Sequence, residues 1–225
     1  MTDEPVIDPE PEEDAPAEPP PTEEVLLVEA LRRKEWLPSH GQVLLVSIRG
    51  ESPLGTNSFD DRAGTVYRDR EGNLEVKLYD ATNDPGTYWL ENPSRPGGCA
   101  VPRAGYYTGS MQLGDHRGKP GLVNWGLVAI GYDRYITDGS GGWKVNLADQ
   151  KDYIGLNIHR AGKASTHVNK YSAGCTVFAK EEDLEAVLKT CELGLAFSIG
   201  SRAAASIFFS YAILEYSEVH GMGAS

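Results

Sequence analysis

The sequence predicts a mainly β domain with one or two helices, preceded by an acidic arm that is disordered in isolation. Three features support this interpretation. Apolar and polar residues alternate in several short runs, Gly and Pro separate those runs, and helical periodicity occurs in only two places. With 40% hydrophobic residues among 225, the chain can bury the core of one substantial domain. We expect that domain to extend over residues 42–215, followed by a tail at residues 216–225.

The N-terminal arm, residues 1–22, differs in composition from everything after it. It holds seven of the fourteen prolines, and residues 1–24 carry ten of the 33 acidic residues without any Lys or Arg. The remaining 23 acids nearly balance the 21 basic residues, so the net charge of −12 belongs mostly to this segment. Such a composition buries too little apolar surface to offset the entropy of ordering, which predicts disorder. The arm can be a solubilising extension, or it can order on a partner assembly.

Two segments have helical features. Thr22 can cap a helix over residues 23–37, which has acidic residues in its first turn and basic residues near its end. The second helix begins at about Glu181, and Gly194 stands where a helix commonly stops. Its apolar face contains Cys191, which we therefore expect in the core.

Short strands account for the rest of the predicted domain. Val43–Ile48 is a continuous apolar run, and Ile207–Leu214 has the composition of a buried final strand. Apolar residues alternate with others at 74–78, 128–132 and 154–158. Turns rich in Gly, Pro, Asn and Asp separate these runs at 70–73, 83–86, 95–98 and 138–142.

Charge and motif content exclude several classes of function. Outside the arm the chain is nearly neutral, so it lacks the basic stripe of a nucleic-acid-binding protein and the charge for docking on an anionic membrane. The stretch 195–214 is apolar, but Arg202 and four serines argue against a membrane span. The three cysteines form no CxxC pair and there is no HExxH, so no metal site is predicted. The N-terminus lacks the features of a Sec signal peptide, which predicts synthesis in the cytoplasm.

The residues that suggest chemistry lie between 153 and 177. If residues 154–158 form a strand with Leu156 facing the core, His159 lies on the opposite, open side. Cys175 follows His159 by sixteen residues and comes directly after Gly174. A thiol is only slightly ionised at neutral pH, so an attacking cysteine needs a histidine that takes its proton. The sequence thus predicts Cys175 as a nucleophile and His159 as its base, with the N–H groups of Gly174 and Cys175 stabilising an oxyanion. A buried structural cysteine is the alternative.

Residues beside this pair are candidates for supporting roles. Ser172 and Tyr171 can fix the loop before Cys175 or contact substrate. Asn157 can orient His159 or its loop, a role that a backbone carbonyl can fill equally well. We count all three as candidate substrate-binding residues.

The sequence offers further candidate site residues outside this group. His116, in a Gly-rich segment, either lines the cleft or is a solvent-exposed loop histidine, and it is a candidate substrate-binding residue together with Arg160. His167 lies in the polar loop between the predicted base and nucleophile and can rest over the site. Cys99 follows two glycines and is assigned no role.

Two segments, Gly155–Arg160 and Tyr171–Val177, resemble the active-site signature of the L,D-transpeptidase catalytic domain. In that signature a histidine precedes a loop that ends in Ser, His or Arg, Gly and Cys, and this chain has Ser172-Ala173-Gly174-Cys175. The longer pattern is similar to a divergent branch found in bacterial and phage-associated proteins. The resemblance implies a β-sandwich-like fold and a cysteine acyl-enzyme that attacks the stem peptides of peptidoglycan. No cofactor is implied, because thiol acyl transfer requires none.

The resemblance also implies individual roles and partners. Cys175 takes the place of the nucleophile, His159 of the base, Gly174 of the oxyanion-loop glycine and Ser172 of the signature serine. The implied bond is the L,D linkage between a diamino acid and D-alanine. Without a Sec signal, delivery to the cell wall would need a virion or an injection apparatus, and the arm is a candidate for docking on such a phage tail or secretion assembly.

The chain departs from the family pattern near the nucleophile. Ala173 replaces the usual His or Arg, Val177 replaces an Arg or Asn, and the loop between His and Cys is a few residues shorter. Hydrolysis in place of transpeptidation therefore stays open, because water needs no acceptor site. A second hypothesis is a non-catalytic structural or cell-wall-binding component of a phage tail or contractile injection apparatus. A papain-like peptidase ranks last, since those enzymes place Cys before His in the chain.

Overall fold

The computed structural model describes residues 19–200 and 207–221, and within them it confirms a mainly β fold. Most of the predicted arm at residues 1–22 and the last residues of the predicted tail lie outside the described residues. Strands are β1 Val43–Ile48, β2 Asp61–Arg68, β3 Leu74–Thr82, β4 Cys99–Pro102, β5 Gly105–His116, β6 Lys119–Val123, β7 Gly131–Thr137, β8 Trp143–Lys151, β9 Ile158–Arg160, β10 Thr176–Phe178 and β11 Phe208–Leu214. Helices are α1 Glu23–Arg33, α2 Thr87–Glu91, α3 Glu181–Gly200 and α4 Tyr216–His220.

Eight of the strands close into a barrel in the order β1-β11-β5-β6-β9-β10-β3-β2. The remaining strands form a three-stranded sheet in the order β4-β7-β8. The arrangement is thus a closed barrel with an attached small sheet, in place of the two facing sheets of a sandwich. Closure is possible because β1 pairs with β11 in parallel and with β2 in antiparallel orientation.

Strand β1 shows why one predicted strand is apolar at all but one position, Ser47. All six of its residues are buried. Leu45 belongs to the main core cluster together with Met111 and Tyr211, whereas Leu44 belongs to a second cluster that includes Leu27 of α1. Because both faces of β1 are covered, no polar alternation is needed.

A buried hydrogen-bond network connects strands across the barrel. The hydroxyl groups of Tyr211 and Thr176 lie 2.8 Å apart, and each also lies within 3.1 Å of the Oδ1 atom of Asn83. The Asn83 amide in turn donates to the Ser47 hydroxyl at 2.5 Å. Thr176 directly follows Cys175 in the chain, so the network anchors the start of β10 beside the predicted nucleophile.

The first helix is shorter than predicted, and the predicted tail contains a helix. Helix α1 ends at Arg33, because Lys34 is its C-cap and Glu35 has a φ of 58° in the left-handed region. The prediction of a helix to residue 37 was wrong by one turn. Helix α4 lies within 216–225, where a tail was predicted, and it begins at a capping box of Glu215 and Glu218.

The prediction that α3 ends near Gly194 was also wrong, since the helix continues to Gly200. Gly194 allows close packing instead: a Cβ there would lie 2.7 Å from Cγ2 of Val43. Cys191, on the same helix, is fully buried as predicted. Among the residues that the structure describes, no helix is both long and apolar enough to cross a membrane.

Two alternating patterns gave strands that begin later in the chain than predicted. In the 154–158 pattern only Ile158 belongs to a strand, and β7 begins at Gly131 instead of near residue 128. Strand β5 was not predicted, because its twelve residues include three glycines and little regular alternation. Strands β2, β4, β6, β8 and β10 were missed as well.

Candidate functional site

Two neighbouring parallel strands bring the predicted base and nucleophile to one region. Strands β9 and β10 pair with Ile158 opposite Thr176 and with His159 opposite Val177. Val177 lies beside His159, and Cys175 is two residues before Val177, so all three side chains lie on the same side of the strand pair. Both residues line a single cavity of about 170 Å³.

The loop before Cys175 is held by hydrogen bonds of its own. The Ser172 hydroxyl donates to the carbonyl of Cys175 at 2.8 Å and accepts from the N–H of Gly174 at 3.1 Å. Ser172 is fully buried, so of its two predicted roles the geometry fits loop fixation and leaves no contact with substrate. The Gly174 N–H is already paired, which leaves the Cys175 N–H as the remaining donor of the predicted oxyanion pair.

The conformation of Gly174 and the small sheet fit together closely. Gly174 has a φ of 120°, which favours glycine, and a Cβ at this position would collide with the carbonyl oxygen of Ala100 in β4. The thiol of Cys99, also in β4, points its hydrogen at the carbonyl of Ala173 at 3.5 Å. The three-stranded sheet therefore packs directly against the loop that presents Cys175.

His159 is held in a defined tautomer. Its Nδ1 atom lies 2.9 Å from the carbonyl oxygen of Arg160, which can only accept, so the proton is on Nδ1 and Nε2 carries the lone pair. The Nε2 atom is buried and has no hydrogen-bond partner among the residues that the structure describes. Burial is the main cause that lowers the pKa of His159 to about 4, so the ring is neutral at pH 7.

The resting thiol is also neutral. The Cys175 thiol donates to the carbonyl of Gly155 at 3.3 Å, and burial raises its pKa above the usual value. Because the lone pair of His159 is unpartnered, no hydrogen bond joins the two residues in this state. The site accordingly holds a thiol and an imidazole, and does not hold a thiolate–imidazolium pair.

A second imidazole covers the first. The ring of His116 stacks on that of His159 with centroids 4.2 Å apart and planes 8° from parallel. Asn157 accepts from the N–H of Asn124 with its Oδ1 atom, so its NH₂ group faces Nδ1 of His116 at 2.9 Å and donates to it. His116 thus lines the cavity and is no solvent-exposed loop histidine, whereas Asn157 orients His116 and the carbonyl of Arg160 orients His159.

The other predicted residues are placed differently. Tyr171 is exposed and lines the cavity. Arg160 pairs with Glu181 at 2.9 Å and lines a second cavity, described below. His167 is exposed, lies 2.9 Å from the Thr166 hydroxyl and lines neither cavity, so the structure does not favour the alternative in which it rests over the site.

Sequence reasoning missed the basic residues of the cavity. Arg95, Arg117, Arg134 and Lys170 line it, and no Asp or Glu does. These residues come from four separate segments, so no local pattern in the sequence connects them, and the near-neutral charge of the body conceals their grouping. Cys99, to which no role was given, lines the same cavity.

Within the described ranges no group of three or more His, Cys, Asp and Glu side chains could hold a metal ion. Comparison of the chain with protein-family models, with curated proteins and with solved structures finds no match.

Proposed function

We propose that this protein carries out cysteine-dependent acyl transfer or hydrolysis on peptidoglycan stem peptides, in the manner of an L,D-transpeptidase. Cys175 is the nucleophile and His159 the general base. The observation that carries the proposal is the buried, unpartnered Nε2 lone pair of His159, which lines the same cavity as the Cys175 thiol. A buried acceptor without a hydrogen bond costs stability, and a role in the reaction would explain why this one is present.

The chemistry follows from the protonation states. As the Cys175 sulfur attacks the carbonyl carbon, His159 Nε2 takes the thiol proton, and the resulting oxyanion accepts from the Cys175 N–H. The imidazolium then gives the proton to the leaving amine, and a thioester remains on the sulfur. An amine or a water molecule resolves the thioester, which gives transfer or hydrolysis. Because both groups are neutral at rest, the proton moves during the attack and not before it.

The setting of the reaction is part of the same proposal. The substrate lies in the bacterial cell wall, and a virion or an injection apparatus is the route by which we propose that the protein reaches it. Residues 1–22, rich in Pro and acidic residues, would connect the domain to that assembly.

The experiment is incubation of the protein with tetrapeptide and cross-linked muropeptides, followed by mass spectrometry of the products and of the intact protein. We expect product formation and a covalent adduct on Cys175, both lost in Cys175→Ala. His159→Gln should lose at least about 100-fold in rate, because general base catalysis typically contributes that much. The matched control is Cys191→Ala, which removes a buried thiol of α3 that does not line the cavity and should keep activity.

A second candidate function is a non-catalytic cell-wall-binding or structural component. The raised pKa of the Cys175 thiol and its hydrogen bond to Gly155 favour it, since they describe an unreactive thiol. Absence of product and adduct, combined with muropeptide binding equal in the protein and in Cys175→Ala, would support this function in place of catalysis.

A further inference from the structure

A second cavity of about 210 Å³ adjoins the first. The two share lining residues, and His159 is one of them, whereas Cys175 lines only the first. The shared residues are His116, Arg117, His159, Lys170 and Tyr171. The two cavities therefore meet at the His159 imidazole, which takes up the thiol proton in the proposed reaction.

The second cavity is lined by cations without any acid. Arg117, Lys119, Arg160 and Lys170 contribute to it, and no Asp or Glu does. Arg160 is neutralised by its ion pair with Glu181. For the other three cations, no ion pair with a carboxylate occurs in the part of the chain that the structure describes. Outside residues 1–24 the chain has 23 acidic and 21 basic residues, so three cations without a carboxylate partner around one cavity are a local excess of positive charge that favours an anion.

Local structure positions two of these cations. Arg117 has a φ of 52° in the tight turn between β5 and β6, next to the stacked His116. The Nζ atom of Lys170 lies 4.0 Å from the centroid of the Tyr88 ring, a cation–π contact that holds the ammonium group near the cavity. Independently of the charges, the buried and unpartnered Nε2 of His159, a residue 7% exposed, indicates that a ligand group is to be received here.

We infer that the second cavity is a subsite for a carboxylate-bearing residue on the leaving-group side of the scissile bond, with Arg117, Lys119 and Lys170 as its counter-charges. This inference rests on the proposed function. The acyl carbon must lie near the Cys175 sulfur in the first cavity, and the leaving nitrogen must lie where His159 can protonate it. The residue that departs then occupies the second cavity. A C-terminal amino acid carries its carboxylate one carbon away from that nitrogen, so its charge falls among the three cations.

The test measures binding separately from turnover. The full-length Cys175→Ala protein is titrated with a stem tetrapeptide that ends in a free carboxylate and with the same peptide as its C-terminal amide. We expect the free acid to bind about tenfold more tightly at low salt, because three partly exposed ion pairs together account for about that factor. The preference should weaken as salt is raised.

Charge-removing variants assign the effect to residues. In the Cys175→Ala background, the triple change Arg117→Gln, Lys119→Gln and Lys170→Gln should bring the affinities for acid and amide within about twofold of each other. The matched control is Lys144→Gln, which removes an exposed cation of β8 outside both cavities and should keep the preference. Urea unfolding of each variant verifies that the fold is intact, and single substitutions replace the triple variant if it does not fold.

The outcomes separate this inference from the proposed function. Equal binding of acid and amide, or a preference that survives in the triple variant, overturns the subsite. Displacement of the tetrapeptide by inorganic phosphate at lower concentration than by acetate also overturns it, because the cavity would then select phosphate. If the active protein yields no product while the binding preference holds, the proposed function fails, and the second cavity is a carboxylate-binding site without a leaving group. If both peptides are converted equally well, the function stands and the subsite fails.

Discussion

Replacement of Gly174 by Ala should destabilise the protein through two separable effects. The backbone has a φ of 120°, where a side chain costs about 1–2 kcal/mol. The added methyl group would also collide with the carbonyl oxygen of Ala100, which lies in a paired strand and cannot move freely. Overpacking of this kind typically costs a further 1–3 kcal/mol. We therefore expect the free energy of unfolding to fall by about 2–5 kcal/mol.

The control for this prediction is Gly139→Ala in the turn between β7 and β8. Gly139 has a φ of 85°, and no described atom beyond its two chain neighbours lies within 4 Å of the position that its Cβ would take, so this variant has only the backbone cost. Urea unfolding of both variants, followed by tryptophan fluorescence, measures the difference. If Gly174→Ala loses no more stability than Gly139→Ala, the loop before Cys175 does not pack against β4, and the account of how the thiol is presented is refuted.

Two further predictions concern buried groups. Burial lowers the pKa of His159 from 6.5 to about 4, so between pH 6.5 and pH 4 the unfolded chain binds a proton that the folded protein does not. This contribution to the free energy of unfolding is complete above pH 6.5, and it should fall by about 3 kcal/mol on acidification to pH 4. His159→Gln should reduce this slope in urea unfolding curves, whereas exposed His167→Gln should retain it, and an unchanged slope in His159→Gln would show that His159 is not buried neutral. Tyr211→Phe leaves Asn83 and Thr176 without the phenol, so we expect a loss of about 1–3 kcal/mol at constant pH; a neutral effect in thermal and urea unfolding would contradict the buried network.

The parts of the fold that could be predicted are those determined by local sequence. Val43–Ile48 could be recognised as a strand because its largely apolar run is a local signal, which can be read without knowing the neighbouring strands. Strand β5 could not be found in this way, because its glycines are explained only by neighbouring groups: Gly109 has a φ of 64°, and a Cβ there would meet the side chain of Leu127 at 3.2 Å. Likewise Gly194 has the sequence features of a helix stop, yet in the structure it is a packing contact.

The same division applies to the candidate site. His159 and Cys175 could be identified from chain spacing, since the pairing of β9 with β10 across the connection 161–175 is enough to bring them to one cavity. The stack of His116 on His159 could not, because it depends on the pairing of β6 with β9, which is long-range and set by closure of the barrel. The sequence predicted that His159 takes the proton of the Cys175 thiol, which leaves the pKa of the resting thiol open. Its raised pKa comes from burial, which sequence spacing does not report.

Burial and charge together explain how a site that is neutral at rest can become reactive when it is occupied. Proton transfer from Cys175 to His159 creates a thiolate and an imidazolium, and burial opposes both charges. The positive charge of Arg117 favours the thiolate but disfavours the imidazolium, since it lowers the pKa of both residues. A carboxylate in the second cavity would offset Arg117 and attract the imidazolium, which lines that cavity, while the sulfur lies only in the first. The substrate would then raise the pKa of the base more than that of the nucleophile. The carboxylate that the proposed subsite would bind would therefore supply the negative charge that stabilises the His159 imidazolium.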